Sequence, residues 1–377
     1  MHNHHSNEQN YPKPLSAAKH FWLSFLAVVT GLPVAVMIAG MLSTIFTVFI
    51  IVILAISAGS GAKTSSVNGS LVYGNANARN VLVSVPINGV ILSGSSADPL
   101  LSIFGQGYTD GEQVKEKLMK LAQDNVASGV ILEIDSPGGM VTASKAIADG
   151  VGYYKTHTGK PVFAHINGTG ASGAYWVAST TDKILAEQGS EAGSIGVIMG
   201  PLVTLKGIVG YSGVTTTQPM TFKYFTAGKS KDLGNPYRDI TPEEEAFLND
   251  QVQAEYGKFV EVVSSHRNIS ADKIRNEIGA LPYGVDSALK NQLIDGVSSK
   301  EEAYDALATA AGVAGSYRVE KISMVPSFWS GLFSAKSTFT SYFMSESDKS
   351  AARARFCETS LVGKPLVFEG DISSVCK

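Results

Sequence analysis

The chain has 377 residues, 44% of them hydrophobic and 17% charged, with a formal net charge of −3. That length suits one large domain plus appendages, and the lack of any lysine or arginine run excludes the basic footprint of a nucleic-acid-binding protein. Two cysteines, Cys357 and Cys376, are too few for a disulfide scaffold or a cysteine-based zinc site. They either remain two thiols or, in an oxidising compartment, close one loop.

Residues 21–62 carry no charged side chain. About 20 apolar residues cross a bilayer, and the break at Gly31-Leu32-Pro33 falls too early to leave a full span before it. One transmembrane helix at roughly 34–58 is expected, a tight two-helix hairpin being the alternative. Lys13 and Lys19 precede the run, while Lys63 and Arg79 follow it. Positive charge on the amino side predicts a cytoplasmic tail over residues 1–20 in a single-pass protein of the cell (inner) membrane, with the remaining body outside the cytoplasm. A cleaved signal peptide would have a shorter apolar core, of about 7–15 residues.

Residues 63–80, rich in Ser, Asn, Gly and Ala, read as a linker. Strand-type runs then follow at Val81-Leu82-Val83-Ser84-Val85-Pro86-Ile87, Val130-Ile131-Leu132-Glu133-Ile134 and Val162-Phe163-Ala164-His165-Ile166. Helical spacing lies between them, over 111–127 with Val114, Leu118, Leu121 and Ala122 on one face, and over 141–154. A further helix is expected from Ser172 to Ser179. Strands and helices alternating in this way imply an α/β domain with a mostly parallel sheet. Thr241-Pro242-Glu243-Glu244 is a helix start with a cap, a first-turn proline and a glutamate three residues on. The helix it opens carries an apolar stripe down to His266, which core packing explains. Residues 312–377 show weak periodicity and read as an extension.

Three glycine-rich stretches stand where parallel strands should end, the edge at which ligands gather in such sheets. In Asp135-Ser136-Pro137-Gly138-Gly139, adjacent glycines let backbone N–H groups approach a ligand. Those donors could bind an oxyanion, or the segment could be a plain strand-to-helix turn. In Gly168-Thr169-Gly170-Ala171-Ser172-Gly173-Ala174, Ser172 would sit at a helix N-terminus, as a nucleophile or simply as a cap. Gly173 would offer a second oxyanion donor. The G-x-S-x-G elbow is not met, because Ala174 takes the last position. Gly193-Ser194-Ile195-Gly196-Val197 is followed later by Ala227-Gly228-Lys229-Ser230-Lys231-Asp232. A neutral lysine can take a proton from serine. Of seven histidines only His165 is well placed to serve a serine, and a satisfied core histidine is its commoner role. Ser–Lys is therefore favoured over a Ser–His–Asp triad.

Taken together, Ile134-Asp135-Ser136-Pro137-Gly138-Gly139, Ala171-Ser172-Gly173-Ala174-Tyr175, Gly193-Ser194-Ile195-Gly196-Val197 and Gly228-Lys229-Ser230-Lys231-Asp232 resemble peptidase family S49, of the signal peptide peptidase A type. Tyr256-Gly257-Lys258-Phe259-Val260 and Leu293-Ile294-Asp295 fit as well. The resemblance covers roughly 81–310, and the peptidase domain is drawn at 81–311. It implies a ClpP/crotonase-like fold of stacked ββα units and a membrane-anchored serine endopeptidase with no cofactor and no metal. It implies Ser172 as nucleophile, Lys231 rather than Lys229 as general base, and Ser194 as a partner of the lysine. Gly138 or Gly139 with Gly173 would form the oxyanion site. Implied substrates are cleaved signal peptides and other apolar, extended segments. A homo-oligomeric ring or dome is implied too, in which serine and lysine sometimes come from neighbouring protomers. Ala174 stands where glycine is more usual, and residues 312–377 have no assigned counterpart. The rival readings are a crotonase-type enzyme acting on acyl-CoA thioesters and a non-catalytic membrane scaffold of the same fold.

Overall fold

A computed structural model describes residues 69–94, 107–211, 214–322 and 366–368, with scattered positions between 19 and 50. The chain divides into two units, 1–64 and 65–377. In the first, the described positions 19, 21, 22, 25, 43, 44 and 46–50 are helical. Among the described residues no helix is long and apolar enough to cross a membrane. The span expected at 34–58 lies largely outside them, as do Cys357 and Cys376.

The second unit opens with β1 (Gly69–Gly74) and proceeds in strand–strand–helix units. The first holds β2 (Asn80–Asn88), β3 (Val90–Leu92), β4 (Tyr108–Asp110) and α1 (Gly111–Asp124); the second holds β5 (Ala127–Ser136), β6 (Gly138–Met140) and α2 (Val141–Thr158). Next come β7 (Val162–Ala171), α3 (Gly173–Ser179), β8 (Lys183–Ala186) and β9 (Glu191–Gly193). A small hairpin of β10 (Gly210–Tyr211) and β11 (Val214–Thr215) precedes the long α4 (Pro242–Arg267). Then follow β12 (Pro282–Gly284), α5 (Val285–Lys290), β13 (Gly296–Val297), α6 (Lys300–Ala310), β14 (Tyr317–Ile322) and β15 (Leu366–Phe368).

The main sheet runs β1-β14-β2-β5-β7-β8-β13, with β9 joined to the end of β7 and β12 to β9. Pairing is parallel except where β1 meets β14 and β12 meets β9. A second sheet, ordered β15-β6-β3-β4, lies at the carboxyl ends of β2 and β5, with β15 antiparallel to β6. Alternation along the strands serves two cores. Val81, Val83, Val85 and Ile87 face the layer of α1–α4, while Leu82, Ile131, Phe163 and Leu185 pack with Ala303, Tyr304 and Leu307 of α6. Burial on both faces is why these strands read as continuous apolar runs.

Local chemistry sets the helix ends. Asp110 caps α1 by accepting from the backbone N–H groups of Glu112 and Gln113 at 3.0 and 3.2 Å, and the left-handed Asn125 (φ +51°) ends it. Thr241 and Glu244 close the expected capping box of α4, with Pro242 in its first turn. Two boundaries differ from the sequence reading. Residues 69–74 of the expected linker form β1, and residues 317–322 of the expected extension form β14, which lies between β1 and β2. The domain therefore spans at least 69–322 rather than 81–311. The charged residues that disguised β14 are paired inside the fold: Arg318 with Glu320 at 2.6 Å, and Lys321 with Glu133 at 2.9 Å.

Glu133 anchors the α6 side of the sheet. Its buried carboxylate accepts from Ser84 Oγ at 2.7 Å, Lys321 Nζ at 2.9 Å and the Tyr304 hydroxyl. Burial alone would raise its pKa, but bonds from Tyr304, Lys321 and Ser84 reverse that and hold it below the ordinary glutamate value. A depressed folded value means stability present above the unfolded pKa of about 4.3 and lost as pH falls through the folded one. Glu133→Gln is expected to cost about 3 kcal/mol near neutrality and to flatten the acid limb of the stability curve. Urea denaturation between pH 3 and 7 measures both; an unchanged acid limb would exclude Glu133 as its source.

Candidate active site

Ser172 stands alone at the junction between β7 and α3, with φ +52° and ψ −118°. A side-chain-bearing residue holds such a positive φ at a cost of about 1–3 kcal/mol, so the surroundings must enforce it. The Ser172 N–H donates to the Gly193 carbonyl at 2.8 Å, and its own carbonyl accepts from the Trp176 N–H at 2.9 Å. Every residue of α3 is buried; Trp176 stacks on Phe259 of α4 at 4.9 Å, and the Tyr175 hydroxyl donates to the Leu293 carbonyl at 2.9 Å. The Ser172 side chain does not cap α3. Its Oγ is buried without a hydrogen-bond partner among the described residues. Leaving a hydroxyl so costs about 1–3 kcal/mol, and the missing cap bond sets aside the helix-cap reading.

The glycine stretches converge here. β5 and β7 pair in register to Ile134 and Ile166, then slip so that Ser136 meets Gly170. That slip carries β6 against α3. Gly138 takes φ +95° and donates its N–H to Ser136 Oγ at 3.1 Å. A Cβ on Gly139 would lie 2.0 Å from the Ile91 carbonyl oxygen, and one on Gly168 would lie 2.4 Å from Asp135 Oδ1. The same Asp135 oxygen accepts from the Thr169 N–H at 3.0 Å, tying the first stretch to the second. Ser194, at φ +54° and nearly buried, directly follows the residue that holds the Ser172 N–H. Gly138, Gly139, Ser172, Gly173 and Ser194 thus form one neighbourhood, and Ala174 fits fully buried beside them.

Lys231 makes no hydrogen bond to Ser172, whose Oγ is unpartnered among the described residues. The lysine is exposed on a turn and lines an open cleft of about 650 Å³ with Tyr224, Phe225 and Leu233. Phe225 is 96% exposed. Lys229 donates to Glu243 Oε1 at 2.6 Å, whereas no ion pair engages Lys231 among the described residues. His165 lies in the core with Nε2 3.2 Å from the Ser298 carbonyl oxygen, and burial lowers its pKa; it does not reach Ser172. Sequence reasoning passed over Arg238, which forks onto Asp232 and Glu244. The only trace in the sequence is an arginine six residues from each.

Residues 155–314 match the family description "Peptidase family S49", and residues 106–185 match "Clp protease". A putative protease of Methanocaldococcus jannaschii is 36% identical over 218 residues, 58% of this chain and 67% of that protein. A putative signal peptide peptidase SppA of Enterococcus faecium is 29% identical, covering 60% of this chain and 62% of the relative. Protease 4 of Haemophilus influenzae is 30% identical over 60% of this chain, which spans 34% of that relative's length. A ClpP-like α/β domain with a mostly parallel sheet is the class these features define. The chain belongs to peptidase family S49, a family of serine peptidases.

The Gly139 contact gives a direct check. Gly139→Ala is expected to cost about 2 kcal/mol through overpacking against Ile91 and to lower peptide hydrolysis at least tenfold by shifting β6. Thermal melts and initial rates measure the two; an alanine accepted without loss in either would remove β6 from the site.

Proposed function

We propose that the chain is a membrane-anchored serine endopeptidase in which Ser172 is the nucleophile and Lys231 the general base, the two supplied by different copies of the chain. The observation that carries this reading is the Ser172 hydroxyl, buried, unpartnered and fixed at a strained strand–helix junction. Lys231 fits the base because its competitor Lys229 is engaged by Glu243. Its exposure, beside the projecting Phe225, favours a partner copy as the place where it acts. Apolar side chains around it would then exclude water and favour the neutral amine that a base requires.

In the reaction, the neutral lysine amine takes the Ser172 proton as Oγ attacks the peptide carbonyl carbon. Backbone N–H groups of Gly173 and of Gly138 or Gly139 donate to the oxyanion, and a single such donor is worth about 10²–10³ in rate. The lysine ammonium next protonates the leaving amine. Water, deprotonated by the same lysine, then releases the acyl group and restores the serine. Cleaved signal peptides and other apolar, extended segments are the proposed substrates, a reading consistent with the name of the Enterococcus faecium relative. The uncharged run at 21–62 supports the anchor, as do the exposed, mutually packed rings of Phe21, Trp22 and Phe25 at its start, aromatic residues being enriched at membrane interfaces. The catalytic domain is placed outside the cytoplasm on the charge bias described above.

Hydrolysis of a fluorogenic apolar peptide by the detergent-solubilised full chain is the test. Ser172→Ala and Lys231→Ala should each lose at least about 10³-fold in kcat. Mixing the two inactive variants before assembly should restore a fraction of the activity, because some sites then receive both groups. A silent mixture beside an active parent assigns both residues to one copy, and equal turnover in all three proteins removes the dyad.

A further inference from the structure

The lysine-bearing turn is more tightly built than an exposed loop needs to be. Gly228, Ser230 and Gly234 take φ values of +98°, +57° and +88°. The turn closes through the N–H of Lys231 on the Gly228 carbonyl at 3.3 Å and the N–H of Leu233 on the Ser230 carbonyl at 3.0 Å. Ser230 pays a steric cost for its left-handed backbone, so something outside the turn must hold it there.

Arg238 supplies that hold. Its Nε and Nη2 donate to the two carboxylate oxygens of Asp232 at 2.9 and 2.8 Å. Its Nη1 and Nη2 donate to the two oxygens of Glu244 at 2.8 Å each, and Nη1 also reaches the Asp239 carbonyl at 3.0 Å. All five guanidinium N–H donors are used. Asp232 immediately follows Lys231; Glu244 is buried in the first turn of α4. A second tie, Lys229 to Glu243, joins the same turn to the same helix end. The start of α4 does not depend on the arginine, because Thr241 and Pro242 already shape it. Hydrogen bonds from Arg238 hold the Glu244 carboxyl down at about 2 and place that of Asp232 well below its ordinary range. The fork therefore stays ionised throughout the pH range of a peptidase assay.

We propose that Arg238 is a positioning residue of the peptidase reaction: by locking Asp232 to the head of α4, it fixes the turn that presents Lys231 to the serine. This rests on Lys231 being the base. Lysine cannot replace the arginine, since its single ammonium has no planar fork to span two carboxylates. The role concerns the chemical step rather than peptide binding.

The experiment compares the full-length parent with Arg238→Ala, Arg238→Lys, Lys231→Ala and, as a control on a surface ion pair of α4, Lys258→Ala, using the same fluorogenic peptide. Peptide affinity is measured separately in the Ser172→Ala background with and without the Arg238 change. Arg238→Ala and Arg238→Lys should each lose at least about 30-fold in kcat with KM within threefold, unchanged affinity in the Ser172→Ala background, and Lys258→Ala at parent activity. Millimolar guanidinium ion should restore part of kcat to Arg238→Ala and none to Lys231→Ala. Should Arg238→Ala fail to assemble, Arg238→Lys, which keeps the charge and most of the packing, decides. Parent-like kcat in Arg238→Lys, or a kcat loss matched by an equal loss of peptide affinity, overturns the positioning role. If Lys231→Ala keeps its turnover, the base assignment itself falls; if Lys231→Ala is dead while both Arg238 variants work, the clamp alone is wrong.

Discussion

The parallel pairing of β5 with β7, regular as far as Ile134 and Ile166 and then slipped by the bulge that sets Ser136 opposite Gly170, is the constraint from which the rest of the site follows. The slip turns two strands that would otherwise run out side by side into a crowded corner where β6, the end of β7, α3 and β9 meet. Crowding explains the glycines. At Gly139 and Gly168 the space a Cβ would need is already occupied by the Ile91 carbonyl and the Asp135 carboxylate. Contacts this close leave no room for a side chain at either position. In the proposed reaction, such a corner would meet developing charge with dipoles that the fold has already fixed.

The proposed nucleophile and base are held by different physical means. Ser172 is held by burial: α3 is packed on all sides, and a backbone bond to Gly193 keeps the serine in its unfavourable conformation. Lys231 lies on the surface, where burial cannot order it, and there an ionic fork takes over. Surface ion pairs are weak as stabilisers. A two-carboxylate fork on one guanidinium contributes something else, a definite geometry. The contrast is the one expected under the proposal that the two groups come from different copies of the chain.

Much of this was legible in the sequence, for identifiable reasons. The central strands announced themselves because both faces are buried, and the cap of α4 because Thr241 acts within three residues of itself. Ser172 and its glycines stood out because strand ends and glycine runs coincide. What failed to show was long-range pairing. β1 has an exposed, glycine-flanked sequence that becomes a strand only against β14, and β14 carries Arg318, Glu320 and Lys321, which resemble surface charges until their partners inside the fold are known. Arg238 was hidden for the same reason: a fork onto two acids is a fact of three dimensions.

The position of β14 also bears on how the protein can be made. β2 can pair with β5 once residue 136 has left the ribosome, but its other edge waits for residues 317–322, more than 200 positions after its own end. Contacts of such separation form slowly. Until then the nascent chain exposes one bare edge of an apolar strand, a template for pairing with other chains. Synthesis that stalls before β14 therefore yields a fragment with its central strands formed and an adhesive margin left open.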